Sequence, residues 1–231
     1  MKISNQTLAI LKNFASINNG IVVKKGNVLR VTDKKNILAV ATVEEKFPVD
    51  FAIYDLNMFL NVVSAYKEPP EFEFHSANVD IALNTDRPVR YFYANPKTIV
   101  TSDATIEMKD VGVSFKLLND DLQDLLKMAH IMVRPEIVIY GNAETISILA
   151  TDTKDESPNE YAIHLKTKTT KNFRFVFDTE TIKVLPLDYE VTISPIGITK
   201  FSHGDVLEYV LCSIAKTSTY EGKSVTHKEE K

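Results

Sequence analysis

Leu8-Ala9-Ile10-Leu11-Lys12-Asn13-Phe14-Ala15-Ser16-Ile17 returns later in the chain as Leu122-Gln123-Asp124-Leu125-Leu126-Lys127-Met128-Ala129-His130-Ile131. Two leucines, an alanine and an isoleucine match at one offset of 114. Just downstream, Ile21-Val22-Val23-Lys24-Lys25-Gly26-Asn27 recurs as Ile137-Val138-Ile139-Tyr140-Gly141-Asn142 with one residue deleted. Phe51-Ala52-Ile53-Tyr54-Asp55 then recurs as Arg174-Phe175-Val176-Phe177-Asp178 at offset 123, as if the second copy held a longer loop. A helix-then-strand order stated twice predicts two similar domains, and such repeats set the frame for every other reading.

The 231 residues divide into halves of about 115, each large enough to own a core. Hydrophobic content of 44% and charged content of 25% are ordinary for a folded protein. No apolar run approaches the roughly 20 residues of a membrane span, and the N-terminus lacks a signal-peptide core. A single cysteine, Cys212, rules out an internal disulfide framework and suits a reducing cytoplasm. Net charge is −4: residues 1–112 carry 13 basic and 13 acidic side chains, residues 113–231 carry 14 and 18. That balance excludes a uniformly basic protein and leaves open where the charges cluster.

The first helix starts at Ser4, a good N-cap, shows the stripe Leu8, Leu11, Phe14 and Ala15, and stops at Asn18-Asn19-Gly20. Strands are predicted at Ile21–Lys24, Val28–Thr32, Leu38–Val43 and Val49–Tyr54. Asp55 caps a second helix with the stripe Leu56, Phe59, Leu60 and Val63, which Pro69-Pro70 ends. Further strands follow at Glu71–His75, Val79–Leu83 and Val89–Tyr93, and then periodicity lapses until residue 112. A third helix is predicted with a capping box at Asp120 and Gln123 and the stripe Leu122, Leu125, Leu126, Ala129. A fourth follows Asp178, contains Ile182 and Leu185, and ends near Pro186; residues 217–231 read as a mobile polar tail. Strands in meanders favour an antiparallel α+β plan, with helices on one face of the sheets.

No phosphate loop, GxGxxG, HExxH or CxxC appears, and the five histidines show no pair at metal-ligand spacing. Asp120, Asp121 and Asp124 are conceivable metal carboxylates, but the positive end of a helix explains the first two more simply. The expectation is a protein with no catalytic residues, no metal and no cofactor. The polar side of the third helix carries Gln123, Lys127, His130 and Arg134 at i, i+4, i+7 and i+11, with no acid among them. Asn5, Lys12 and Ser16 occupy the same geometry on the first helix, and Asn57, Asn61 and Ser64 on the second; the fourth offers Lys183. Either these are solvated faces, or they meet a polyanion through sparse charge that carries no sequence information.

Leu11-Lys12-Asn13-Phe14-Ala15-Ser16-Ile17-Asn18-Asn19-Gly20-Ile21 and Val49-Asp50-Phe51-Ala52-Ile53-Tyr54-Asp55-Leu56-Asn57-Met58-Phe59-Leu60 resemble the corresponding stretches of the sliding clamps of T-even bacteriophages. The resemblance is strong over residues 1–65 and continues in order to about residue 215. It implies the α+β DNA-clamp fold: two similar domains, 1–94 and 113–216, each with two helices packed on antiparallel sheets, joined by a connector at 95–112 and followed by a tail at 217–231. It implies a polymerase processivity factor that encircles duplex DNA as a homotrimer, in the cytoplasm of an infected bacterium and with no membrane association. An ATP-dependent clamp loader, the DNA polymerase and late-transcription factors are the implied partners.

By helix position and charge, the DNA-facing candidates are Lys12, Lys127, His130, Arg134 and Lys183. Clamp subunits join by edge-strand pairing, and Tyr91, Phe92 and Tyr93 suit one edge while Tyr161 and Ile163 suit the other. By their place in the order, Pro186 and Leu187, with Phe201 and Ile106, resemble the wall of the pocket that takes partner peptides. The alternatives are a non-catalytic phage structural or scaffold protein with duplicated β-rich domains, and a nuclease using Asp120, Asp121 and Asp124.

Overall fold

The computed structural model describes residues 1–83, 87–104 and 106–226. The chain forms two compact units, residues 1–104 with 205–207, and residues 105–204 with 208–231. The break falls inside the stretch 95–112. Within that stretch the regular element among the described residues is a 3₁₀ turn at Pro96–Thr98.

The first unit begins with α1 (Asn5–Ile17), whose N-cap Ser4 accepts a hydrogen bond from the Thr7 amide. Ile10, Leu11, Phe14, Ala15 and Ile17 are its buried apolar residues, so the buried stripe is as expected except that Ile10 takes the place of half-buried Leu8. β1 (Ile21–Val23), β2 (Gly26–Thr32), β3 (Ile37–Phe47) and β4 (Phe51–Ile53) follow. The β2–β3 turn is held by the Asp33 carboxylate, which accepts from the amides of Lys35, Asn36 and Ile37 at 2.9, 2.9 and 3.0 Å.

Asp55 caps α2 (Leu56–Ser64) by accepting from the Met58 amide at 2.8 Å. This helix ends five residues before Pro69. The Tyr66 hydroxyl donates to the Ile81 carbonyl at 2.7 Å and draws the chain toward the meander of β5 (Glu71–Phe74), β6 (Asn78–Ala82) and β7 (Val89–Phe92). Met1 lies along β5: its ammonium donates to the Phe72 carbonyl, and the Phe72 amide donates back to the Met1 carbonyl, both at 2.7 Å.

The second unit contains β8 (Val113–Leu117), α3 (Asn119–Ile131), β9 (Glu136–Asn142), β10 (Thr145–Thr151), β11 (Tyr161–Lys168) and β12 (Asn172–Asp178). After a 3₁₀ turn at Thr179–Thr181 come β13 (Tyr189–Ile193), β14 (Ile198–His203), β15 (Leu207–Cys212), β16 (Thr219–Tyr220) and β17 (Lys223–Ser224). One sheet runs β11-β10-β9-β12-β16-β17, and β15-β14-β13-β8 are neighbours in another. The repeat survives in the pairing, since β1 pairs antiparallel with β4 as β9 does with β12.

Three expectations fail in this unit. The fourth helix is replaced by the 3₁₀ turn. Thr179, Thr181, Ile182 and Val184 are β-branched, and Pro186 disfavours helical backbone at Leu185. Leu185 is instead held by the Tyr189 hydroxyl on its carbonyl and by the Tyr209 hydroxyl on its amide, at 2.7 and 3.3 Å. The N-cap of α3 is Leu118 rather than Asp120, with no side-chain bond of its own.

The supposed tail is folded through residue 226. β16 pairs with β12, Ser218 and Val225 are buried, and the Tyr220 ring stacks on Phe175 at 6.3 Å. Residues 227–231 lie outside the described residues.

Candidate nucleic-acid interface

α1 and α2 pack on each other, and their 22 residues contain one charged side chain, Lys12, and no acid. Asn5, Lys12 and Ser16 are exposed on α1, as are Asn57, Asn61 and Ser64 on α2. The Asn57 amide donates to the Asn19 side-chain oxygen at 3.0 Å, fixing one of these groups. Apolar contact on one side and amides and hydroxyls on the other give a polar surface on which Lys12 is the one charge that the two helices supply.

On α3 the surface is graded rather than uniformly basic. Gln123, Lys127 and His130 are exposed as expected, but Asp120 lies seven residues before Lys127 and Asp124 three before it, also exposed. Asp120 sits in the first turn at the positive end of the helix dipole and His130 in the last turn at the negative end, which suits both, while Asp124 and Lys127 lie between them. Arg134 is not on the helix: it lies in the following turn, with its Nε donating to the Met132 carbonyl at 2.8 Å and Nη1 to the Asn159 carbonyl at 3.4 Å. Lys183 is half-buried in the irregular stretch after the 3₁₀ turn, so the helical geometry assumed for it is absent. Asp120, Asp121 and Asp124 do not converge; among the described residues no group of three His, Cys, Asp or Glu side chains is placed to hold a metal.

The N-termini of α1 and α3 are also held by carboxylates from other elements, which no local sequence pattern signals. Glu45 of β3 accepts from the Ser4 amide and from the Thr7 hydroxyl, both at 2.5 Å. Partial burial raises the Glu45 carboxyl, but these hydrogen bonds outweigh it and leave its pKa lowered. Asp188 accepts from the Asn119 amide at 2.8 Å, and that bond, aided by Lys116 at 3.5 Å, holds its carboxyl below the usual range.

The strands expected to form joints are both edges of their own sheets: β7 ends the β5-β6-β7 sheet and β11 ends the six-stranded one. Phe92 is 68% exposed, while Tyr91, Tyr93, Tyr161 and Ile163 are half-buried. Inside the first unit, Tyr93 stacks on Phe51 at 5.5 Å and Tyr91 meets Phe59 edge-on at 5.3 Å. Of the pocket candidates, Pro186 is exposed, Ile106 and Leu187 are half-buried, and Phe201 is buried against the Tyr189 ring at 5.8 Å. Phe201 is therefore a core residue standing behind any surface at this place.

Residues 3–101 match the family described as DNA polymerase processivity factor, and residues 114–215 match the C-terminal part of the gp45 sliding clamp. The sliding clamp of Vibrio phage KVP40 is 31% identical over 222 residues, covering 93% of this chain and all of its relative. The chain belongs to the phage sliding-clamp family. The sliding clamp of Enterobacteria phage T4 is 27% identical to this clamp over 96% of the chain.

Among solved structures, the clamp resembles the A. fulgidus PCNA bound to the C-terminal region of FEN-1, with TM-score 0.67 and 11% identity over 90% of this chain and 94% of that one. It also resembles the DNA polymerase III β subunit of Borrelia burgdorferi, with TM-score 0.65 and 12% identity over 93% of this chain and 62% of that one. At such identities the likeness is one of fold: an α+β DNA clamp with antiparallel sheets and helices. The clamp is a non-catalytic factor that confers processivity on a DNA polymerase.

Proposed function

We propose that the clamp acts as a closed ring of three copies around duplex DNA, each β7 edge pairing antiparallel with the β11 edge of the next copy. The observation that carries this reading is that β7 and β11 are each an edge strand of their sheet, with exposed Phe92 on β7. Unlike edges make a head-to-tail interface, which gives a ring when the rotation closes. Lys12, Lys127, His130, Arg134 and Lys183 are the proposed DNA-facing groups. Their thin positive charge among amides and hydroxyls holds phosphates weakly and without direction, so the ring slides while the topological link keeps it on the strand. An ATP-dependent loader opens the ring, in the cytoplasm of the infected host. The same ring tethers the polymerase and, late in infection, transcription factors. Partner peptides are proposed to dock on the surface around Ile106, Pro186 and Leu187.

Light scattering and native mass spectrometry should return three subunits. After loader-dependent loading, the clamp should stay on circular DNA and run off linear DNA; equal, rapid loss from both would sink the topological reading.

A further inference from the structure

At the end of α3 the backbone takes a conformation that its residue resists. Val133 has φ +53, in the left-handed region, where a β-branched side chain is an outlier. It sits at the position that glycine ordinarily fills in this kind of helix closure. The Val133 amide donates to the His130 carbonyl at 3.2 Å, and the Arg134 amide to the Ala129 carbonyl at 2.8 Å. Nothing in the core compensates for the choice of valine, because Val133 is 80% exposed and its neighbour Ile131 is 62% exposed.

Charge surrounds this apolar corner. Lys127 and His130 are exposed on the last turns of α3. The Arg134 guanidinium donates to two backbone carbonyls, and among the described residues no carboxylate forms an ion pair with it. Glu136, two residues on, is buried and accepts from the Thr153 amide at 2.7 Å.

We propose that Ile131 and Val133 form an apolar contact on duplex DNA, packing against the sugar faces beside phosphates that Lys127 and Arg134 attract. This rests on the ring reading, with α3 toward the DNA. Sugars present CH groups at every step regardless of sequence, so the contact tracks the duplex without reading it. The strained backbone is what projects the valine outward, and strain at an exposed residue with no packing role points to use in binding.

The test uses the full clamp, loaded by its loader, carrying Val133→Gly, Val133→Asn, or Val133→Asn with Ile131→Ser. Asparagine tolerates the left-handed region while removing the apolar surface. Relief of strain in Val133→Gly should raise the unfolding midpoint by about 2–4 °C. In all three variants retention on circular DNA should be unchanged. One-dimensional diffusion on stretched DNA should become about fivefold faster for the double variant, the factor that loss of roughly 1 kcal/mol of contact gives. Diffusion equal to that of the unsubstituted clamp in every variant overturns the proposal. So does slower loading with unchanged diffusion, which would give the corner to the loader instead. If the unsubstituted clamp itself is not retained on circles, the ring reading has failed first, and the two failures are distinct.

Discussion

Ser218→Ala tests whether the C-terminal hairpin is part of the fold. β16 pairs with β12 at Phe173 and Arg174, and beyond that point the side chain of Ser218 takes over the ladder. Its Oγ accepts from the Val176 amide at 3.0 Å, and both residues are fully buried. Alanine removes the acceptor and leaves an N–H with no partner in a space water does not reach. An orphaned buried amide costs about 1–3 kcal/mol.

For a chain of this length each kcal/mol moves the midpoint by roughly 2–4 °C, so a fall of about 2–12 °C is expected for the second unit. Urea titration gives the global loss, and hydrogen exchange gives the local one. Val176 should lose protection by about tenfold per 1.4 kcal/mol, while strand residues of the first unit keep theirs. Unchanged Val176 protection together with an unchanged midpoint would refute the reasoning, and with it the claim that residues 217–226 are structural.

Three further outcomes follow from named contacts. A Cβ at residue 141 would lie 2.3 Å from the Phe173 ring, which is itself packed on Phe175 at 5.5 Å, so Gly141→Ala should destabilise by about 1–3 kcal/mol in urea titration. Burial raises the Asp33 carboxyl, but three amide hydrogen bonds outweigh it and lower its pKa below the ordinary value. The folded pKa is thus the lower one: its stabilisation is full above about pH 4–5 and lost as pH falls through the folded value. Asp33→Asn should accordingly lose less stability than the unsubstituted clamp between about pH 5 and 2.5, measured as urea midpoints. Phe92→Asp would put a charge into the proposed joint, and sedimentation at micromolar concentration should show a shift toward monomer with the thermal midpoint nearly unchanged.

The legible parts of the fold were those whose causes lie close together in the chain. Ser4 and Asp55 cap helices by bonding amides three residues on, and both were visible as caps. The repeat was visible because equivalent strands bury equivalent apolar residues. The cap of α3 was not, since Asp188 reaches the Asn119 amide from 69 residues away and leaves no local mark. The missing fourth helix is a case of apolar spacing without enough length: Ile182 and Leu185 suit a helix, but β-branching and Pro186 leave no room for two turns. The basic stripe was overstated because spacing picked Lys127 and His130 while Asp120 and Asp124 flank them on the same surface. Polar composition misled at the tail, where one buried serine and one buried valine outweigh a charged neighbourhood.

Met1 occupies one side of β5, and β17 is only two residues long. Of the four ends of the β5-β6-β7 and β11-β10-β9-β12-β16-β17 sheets, this leaves one open edge in each, β7 and β11. With β7 joined to β11 as proposed, each copy is in polymer terms bifunctional, with one end of each kind. Such a monomer makes chains or rings but never a branched network, so crowding should lengthen or close assemblies without gelling them.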